Sequence, residues 1–411
     1  MERVVRVVRV VRVVRVVCVV HVLLLWSLCT AKHSEYQGTV MTYYPLITHQ
    51  NTSVTVQVRF KSNSKSCIVN NYYCPSEGCY RISYKKVTVD RDLTTEFCQT
   101  ESVWTRTSPT NAPMLMKLFP YNWISSTVNR ALEAKASTLV ELRSRSDTGQ
   151  SNASPQTTIL PVYRVSWNCP SNIRLLTFDP DGDRVRCRSA DKSRDANECE
   201  QCTLPSVLRL TPSCSVSFSS SSSSSVGLHA VELMMEDFPT SDMVLTATDG
   251  AQEERSTGDP ISRLAIQFLL SVGSAAPSCS PGMYLPVFVK PTPQHEDHIY
   301  SVVSETLQIY IQAQARESTI SDVLFSGPSN MTKAKSNGQY VLSWAPSAAE
   351  LGKGFAVCFV AEAVHGSAKF HSEHRCVVVH VRNVPDVNGS SPVRSSSLFS
   401  LAFILLYEYF C

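Results

Sequence analysis

Twelve cysteines set the strongest limit on how this 411-residue chain can fold. Fifteen are present, but Cys18 and Cys29 fall in an N-terminal leader and Cys411 in a C-terminal tail. The even remainder is what a disulfide-bonded ectodomain carries in an oxidising compartment. They cluster as Cys67, Cys74, Cys79 and Cys98, then Cys169, Cys187, Cys199, Cys202, Cys214 and Cys279, then Cys358 with Cys376. Groups of four, six and two predict bridges closed within separate domains, with Cys279 the one member placed to cross a boundary. Cys358 and Cys376 lie on two adjacent strand-like segments and are expected to pair; such a bridge contributes roughly 2–4 kcal/mol. The connectivity of the other ten stays open. Cys199-Glu200-Gln201-Cys202 has the spacing of half a zinc ribbon or a redox pair, yet no second ligand pair and no βαβ context accompany it, so structural bridges are expected.

The chain ends read as processing signals. Val19–Leu28 is a short apolar run behind a basic segment, followed by Cys29-Thr30-Ala31 as a small-residue cleavage site, so residues 1–31 are expected to be a secretory signal. The Arg-Val-Val repeat from Arg3 to Val17 has a period of three, matching neither a strand nor a helix stripe, and reads as low complexity. At the other end, Asn388-Gly389-Ser390-Ser391, a polar spacer to Ser397 and the apolar run Leu398–Tyr407 have the three parts of a glycosylphosphatidylinositol (GPI) signal. Asn388 is the expected lipid attachment residue, and the tail, residues 398–411, would be removed. That tail is shorter than the roughly 20 residues that span a hydrocarbon core. A cell-surface location follows as an expectation.

Between the ends lie roughly 355 residues, enough for two or three domains. Strand signals dominate. Ser53–Phe60 and Tyr80–Tyr84 alternate apolar and polar residues, as does Glu305–Ala313, and the Tyr340–Trp344 strand segment follows an Asn337-Gly338 turn. Ile173–Phe178, Arg184–Arg188, Gly227–Glu236, Ile261–Val272, Phe355–Ala363 and Arg375–Val381 complete the set, separated by Gly/Pro/Asp/Ser turns. Ile159–Trp167 is read as the last strand of the first domain or the link to the next. Ser126–Arg145 carries the one helical hint, from its Ala/Leu/Glu content. The serine run Ser219–Ser225 reads as a polar loop. The expected organisation is an N-terminal β domain (32–167), a β-sandwich (168–276), a second sandwich (277–383) and a stalk with the attachment region (384–397). The fold class is all-β: tandem disulfide-bonded β-sandwiches.

Residues 342–363, L-S-W-A-P-S-A-A-E-L-G-K-G-F-A-V-C-F-V-A-E-A, resemble the strand ends of immunoglobulin-like and cadherin-like modules. F-D-P-D-G-D-R-V, residues 178–185, is similar to the strand, acidic turn and strand of the same broad group. Together with E-L-M-M-E-D-F-P (232–239) and H-R-C-V-V-V-H-V (374–381), these stretches resemble a family of uncharacterised vertebrate GPI-tailed ectodomain proteins. The resemblance implies a fold and a surface location, and no ligand.

Asp179, Asp181 and Asp183 are the sharpest chemical candidates. Three carboxylates at alternate positions can converge on one Ca²⁺, which takes six to eight oxygens. An EF-hand is excluded, because its sixth and twelfth positions would fall on Arg184 and Ala190 instead of Gly and Glu. The competing reading is an Asp-Gly hairpin turn whose side chains cap backbone amides, neutralised by Arg184 and Arg186. His295/His298 and His371/His374 are three apart, a spacing that points to opposite faces on a strand, so solvated loop or strand-edge histidines are expected in place of zinc. Asn51 and Asn330 are sequon asparagines expected to carry glycans; the sequon Asn152-Ala153-Ser154 is followed by Pro155, which should impair it.

The formal net charge of +3 includes the leader arginines, so the basic stripe needed for nucleic acid is missing. No G-x-S-x-G elbow, phosphate-binding loop or Rossmann glycine pattern is present. The expected function is non-enzymatic surface binding or adhesion toward an extracellular protein or glycan, with homophilic contact as one mode. A decoy or defence receptor for a small ligand or glycan is the alternative, and a surface hydrolase the outsider.

Overall fold

The computed structural model describes residues 36–383, apart from 49–52, 66–78, 92–95, 118–120, 126, 196, 201 and 203. The leader, stalk and tail therefore lie outside the described residues, as do Asn51, Cys67, Cys74 and Asn388; for Cys79 only the backbone is described. Among the described residues there is no α-helix, and the chain is an all-β fold of disulfide-bonded sandwich layers. The helical hint at Ser126–Arg145 is corrected. That stretch forms the short strands Glu133–Ala134, Ser137–Val140 and Ser144–Arg145. Ala134, Ala136, Val140 and Leu142 are buried, and burial against neighbouring sheets overrides a modest helix propensity.

The first four strands are β1 (Tyr36–Thr48), β2 (Val54–Ser64), β3 (Cys79–Arg91) and β4 (Glu96–Ser108). They belong to a ten-stranded sheet whose path runs Arg184–Ser189, Gly227–Phe238, Arg263–Gly273, β1, β2, β4, β3. The boundary expected at residue 167 thus falls inside one hydrogen-bonded sheet. The junction is short: Thr39 pairs with Gln267 and Val40 with Ile266. Just before it, Gly38 has φ +122° beside a register shift between Tyr36 and Gly38, and a Cβ there would meet the Gln267 carbonyl oxygen at 2.0 Å. Only glycine fits that approach.

Arg263–Gly273 is the hub. It pairs antiparallel with Gly227–Phe238 and β1 and parallel with Val162–Ser166, so the Ile159–Trp167 segment is indeed a strand. Its sequence, R-L-A-I-Q-F-L-L-S-V-G, is nearly continuous in apolar residues because both faces are covered. On one face Leu264, Ile266, Phe268 and Leu270 pack with Ile173, Val216 and Phe218 of a small three-stranded sheet. On the other, Leu269 packs with Trp123 and Tyr36, and Ala265 with Ala136 and Met234.

Residues 287–382 form an immunoglobulin-like sandwich. One sheet runs Val287–Val289, Leu307–Gln314, Gln339–Trp344, Thr332–Ser336; the other runs Asp297–Val302, Arg375–Arg382, Gly354–His365, Thr319–Ser326. The Asn337-Gly338 turn has both residues at positive φ, as a tight hairpin with the native twist requires. Ile311, Leu342, Trp344, Val357, Phe359 and Val377 fill the core.

Cys358 and Cys376 sit directly opposite each other on an antiparallel pair within one sheet and are bridged, with Cα atoms 4.0 Å apart. Cys187–Cys214 ties the edge strand Arg184–Ser189 to the loop before Ser215–Phe218, and Cys199–Cys202 closes the C-x-x-C. Cys98 is also disulfide-bonded. Cys169–Cys279 joins residues 110 apart across the boundary expected at 276. Buried polar contacts then stitch the C-terminal sandwich to the large sheet. Tyr44 Oη accepts from Gly354 N (3.1 Å) and donates to Gly354 O (3.0 Å), and Lys61 Nζ donates to Ser326 Oγ (3.1 Å) and Gly327 O (2.5 Å). Asp90 pairs with Arg164 and with Lys369 (2.9 Å), whose ammonium also meets Glu362 at 3.1 Å.

Gly38→Ala should lower stability by about 2–4 kcal/mol, from a strained φ and a backbone collision. Gly149→Ala, also at positive φ but with open space around the added methyl, should cost about 1 kcal/mol. Chemical denaturation of the two variants in parallel measures the difference.

Candidate metal centre

The turn after Phe178 brings Asp179, Asp181 and Asp183 together. Gly182 N donates to Asp179 O (3.3 Å), and Gly182 takes φ +81° to close the turn. Asp179 Oδ1 accepts from the backbone N–H groups of Asp181 (2.9 Å) and Asp183 (3.2 Å), which is the amide-capping role expected of an Asp-Gly turn. Its other oxygen, Oδ2, is buried and accepts from no donor. One oxygen from each of the three carboxylates falls within 4.8 Å of the others.

The neutralising cation is Arg145, and not Arg184 or Arg186. Arg184 donates to Thr257 O (2.6 Å) and Arg186 lies over the Phe238 ring at 5.0 Å. The buried Arg145 guanidinium holds Asp183 through both of its oxygens, the second contact at 2.9 Å. It holds Asp147 likewise, with Nη2 to Oδ2 at 2.7 Å, and donates to Asn152 Oδ1 at 2.5 Å. Asp237, at the end of Gly227–Phe238, accepts from Asn152 Nδ2 (2.7 Å), Ser262 N (2.8 Å) and Ser262 Oγ (2.6 Å). Ala153 N donates to Asp181 Oδ2 at 2.7 Å. Three separate parts of the chain therefore meet here: the loop after Ser144–Arg145, the turn after Phe178, and the end of one central strand.

Asp147, Asp181 and Asp183 meet this one guanidinium, and Asp179 and Asp237 lie close enough to these carboxylates to feel their charge. Burial, then the charges of Asp237, Asp183 and Asp181, push Asp179 up to about 9. Burial, with Asp183 nearby, pushes Asp237 up to about 6, and burial raises Asp181. Burial and the Asp237 charge push the Tyr43 hydroxyl far above its usual range. A site this crowded with carboxylates takes up positive charge, as protons or as a metal ion. It does not suit glycoside hydrolysis, where two carboxyl groups stand about 5–9.5 Å apart across a sugar.

The histidines are rearranged relative to expectation. His371 and His374 are buried, and the His295 side chain is 5% exposed, so these three are not solvated. The strand rule holds in a different form: each member of a three-apart pair finds a partner on another segment. His298 Nδ1 lies 2.7 Å from His380 Nε2 across a parallel pair, and the His295 and His374 rings are 6.4 Å apart. His374 donates from Nδ1 to Arg174 O (2.8 Å), while Nε2 accepts from Tyr163 Oη (3.3 Å), whose own oxygen accepts from Leu160 N. Cys358, His374 and Cys376 converge, but both sulfurs are in the disulfide and unavailable as ligands.

Arg145, Asp147 and Asp237 escaped the sequence reading, and Asn152 entered it only as a sequon, because they lie about 30 to 60 residues from the turn and carry no shared motif. Arg145→Gln should cost about 3–5 kcal/mol, by leaving buried carboxylates without their partner, against less than about 1 kcal/mol for Arg186→Gln at the surface. Burial, against the Arg174 carbonyl bond, depresses His374 to about 3, so its contribution to stability is whole above pH 6.5 and is lost as pH falls toward 3. Urea midpoints from pH 7 to 4 should show the wild type losing up to about 1.4 kcal/mol more per pH unit than His374→Gln.

No family model matches the chain, and no curated protein matches it. Solved structures that match include the titin domains z1z2 in complex with telethonin, at 11% identity and TM-score 0.18, covering 57% of this chain and 98% of that one. A SusE-like surface-located polysaccharide-binding protein of Bacteroides thetaiotaomicron matches at 10% identity and TM-score 0.21, over 87% of this chain and 70% of its own. An endo-fucoidan hydrolase of glycoside hydrolase family 107 matches at 12% identity and TM-score 0.20; the match takes in 75% of this chain but 39% of the hydrolase. Likeness at this level carries no inference about activity or ligand.

Proposed function

We propose that this chain is a non-enzymatic cell-surface protein that binds an extracellular protein or glycan partner. The observation that carries the reading is the set of four disulfides described above, joined by the bonded Cys98, in an all-β body. Bridges of this density, including a closed C-x-x-C, belong to an oxidising compartment. The Cys169–Cys279 bridge and the polar seam hold the C-terminal sandwich against the large sheet, which favours a body presenting fixed loops over a hinged one. Preformed surfaces of that kind lose little entropy on binding.

Two small cavities lie along the seam. Both flank Glu101, with volumes of about 30 and 20 Å³, room for water and far below a substrate pocket. The outer surface offers more. Tyr300 is 53% exposed and Tyr310 42%, on strands of the two opposing sheets of the C-terminal sandwich. Exposed aromatic rings stack on sugars and anchor protein partners. The edge strand Thr332–Ser336 is exposed along its length and carries Lys333 and Lys335, which guard against edge-to-edge pairing. Homophilic contact would then run through loops or faces in preference to this edge.

Among the described residues no helix is long and apolar enough to cross a membrane. Anchoring is assigned to lipid on Asn388, within the reading of the tail as a removed GPI signal. Asn330 is exposed, and its Oδ1 accepts from Trp344 Nε1 at 2.8 Å, an arrangement compatible with a glycan on the amide nitrogen. A decoy receptor is the second form of the same binding reading.

Phosphatidylinositol-specific phospholipase C should release the surface-labelled full-length protein; retention with the tail intact would remove the anchor. Beads coated with released protein should bind cells or glycan arrays, and Tyr300→Ala with Tyr310→Ala should weaken that binding without changing thermal stability. Binding untouched by both substitutions would place the recognition surface elsewhere.

A further inference from the structure

We infer that the pocket between Asp179, Asp181 and Asp183 is a Ca²⁺ site, completed by the fold and not by the turn alone. The inference is independent of what the outer surface binds. Three observations carry it. First, the hardness and number of the donors fit: carboxylate oxygens of three residues lie within 4.8 Å of one another, the span of oxygens around one ion at Ca²⁺–oxygen distances of about 2.3–2.6 Å. Second, Asp179 is 7% exposed, yet its Oδ2 is buried with no donor, while Oδ1 alone satisfies the turn. A buried carboxylate oxygen without a partner is costly, and the turn gives no reason for it. Third, the nearby protein donors are committed elsewhere. Asn152 Nδ2 and both Ser262 donors go to Asp237, and Ala153 N goes to the second oxygen of Asp181.

Arg145 does not fill the role. Its donors go to Asp183, Asp147 and Asn152, and its approach to Asp181 is a long 3.5 Å. It reaches no oxygen of Asp179. One guanidinium fixes Asp183 and Asp147 in place and leaves Asp179 and Asp181 for a second cation. Asp181 is partly exposed, with its side chain 21% accessible, which gives the ion a route in and leaves positions for water. A divalent ion here joins the loop after Arg145 to the turn, and through Asn152 it braces Asp237 on the central strand. Its effect should therefore extend to the stability of the whole large sheet.

The test uses the full-length chain, stripped with EGTA and titrated with CaCl₂ by calorimetry, with thermal unfolding followed in parallel. Asp179→Asn preserves the oxygen that caps the turn while removing the charge facing the pocket, so it should fold. The wild type should bind one ion per chain in the range of extracellular modules, roughly 10⁻⁴–10⁻³ M or tighter, with a rise in Tm. Asp179→Asn should bind at least about tenfold more weakly, the size of effect that even an outer partner of a metal ligand produces, and should lose the Tm rise. Asp181→Asn should behave alike. Absence of saturable binding in the wild type, or binding and Tm shift unchanged in both variants, would overturn the site and leave protons as the compensating charge.

Discussion

The structure depends on one strand being covered on both faces and paired on both edges. Arg263–Gly273 binds β1 on one side and Gly227–Phe238 on the other, and Val162–Ser166 joins it in parallel. Nearly every side chain from Leu264 to Leu270 is buried, which explains why the sequence there has lost its alternation. A strand of this kind cannot be stable alone, because its pairs come from residues more than 200 positions away as well as from close neighbours. Gly38 is the fitting that allows the distant partner in.

That hub also explains where charge collects. Asp237 is the penultimate residue of the strand Gly227–Phe238, and Asp179–Asp183 and Arg145–Asn152 are brought to the same end. The polar cluster is thus a product of sheet topology. The seam to the C-terminal sandwich also carries charge, in Asp90, Arg164, Glu362 and Lys369. Against burial, Arg164 and Lys369 hold Asp90 down to about 2, so the seam keeps its ion pairs through the physiological range. Burial lowers His371 as well, beside Glu362, so this histidine is a neutral structural partner in the seam at physiological pH.

The local part of this architecture was legible and the non-local part was not. Alternation located strands at 54–60, 80–84 and 307–313, the Asn-Gly pair placed a tight hairpin leading into 340–344, and an apolar run marked 375–381. Hydrophobic alternation reports which face is buried, and says nothing of what covers it. The joining of β1 to residues 263–273 therefore left no trace, and the chain looked divisible at 167. The acidic turn was legible because its carboxylates are two residues apart. Arg145, Asp147 and Asp237 were not, because a guanidinium needed for charge balance has no required spacing. Ala, Leu and Glu around 131–142 suggested a helix because propensity counts residues and not the sheets they pack on.

The central claim is that residues 36–273 form one cooperative body through the Thr39–Gln267 junction. Native-state hydrogen exchange followed by mass spectrometry tests it directly. If the account holds, amides of β1 and β2 open with the same free energy as those of Arg263–Gly273, and Gly38→Ala lowers both together. Protection of 263–273 that persists while β1 exchanges freely, unmoved by that substitution, would contradict it and restore two independent domains.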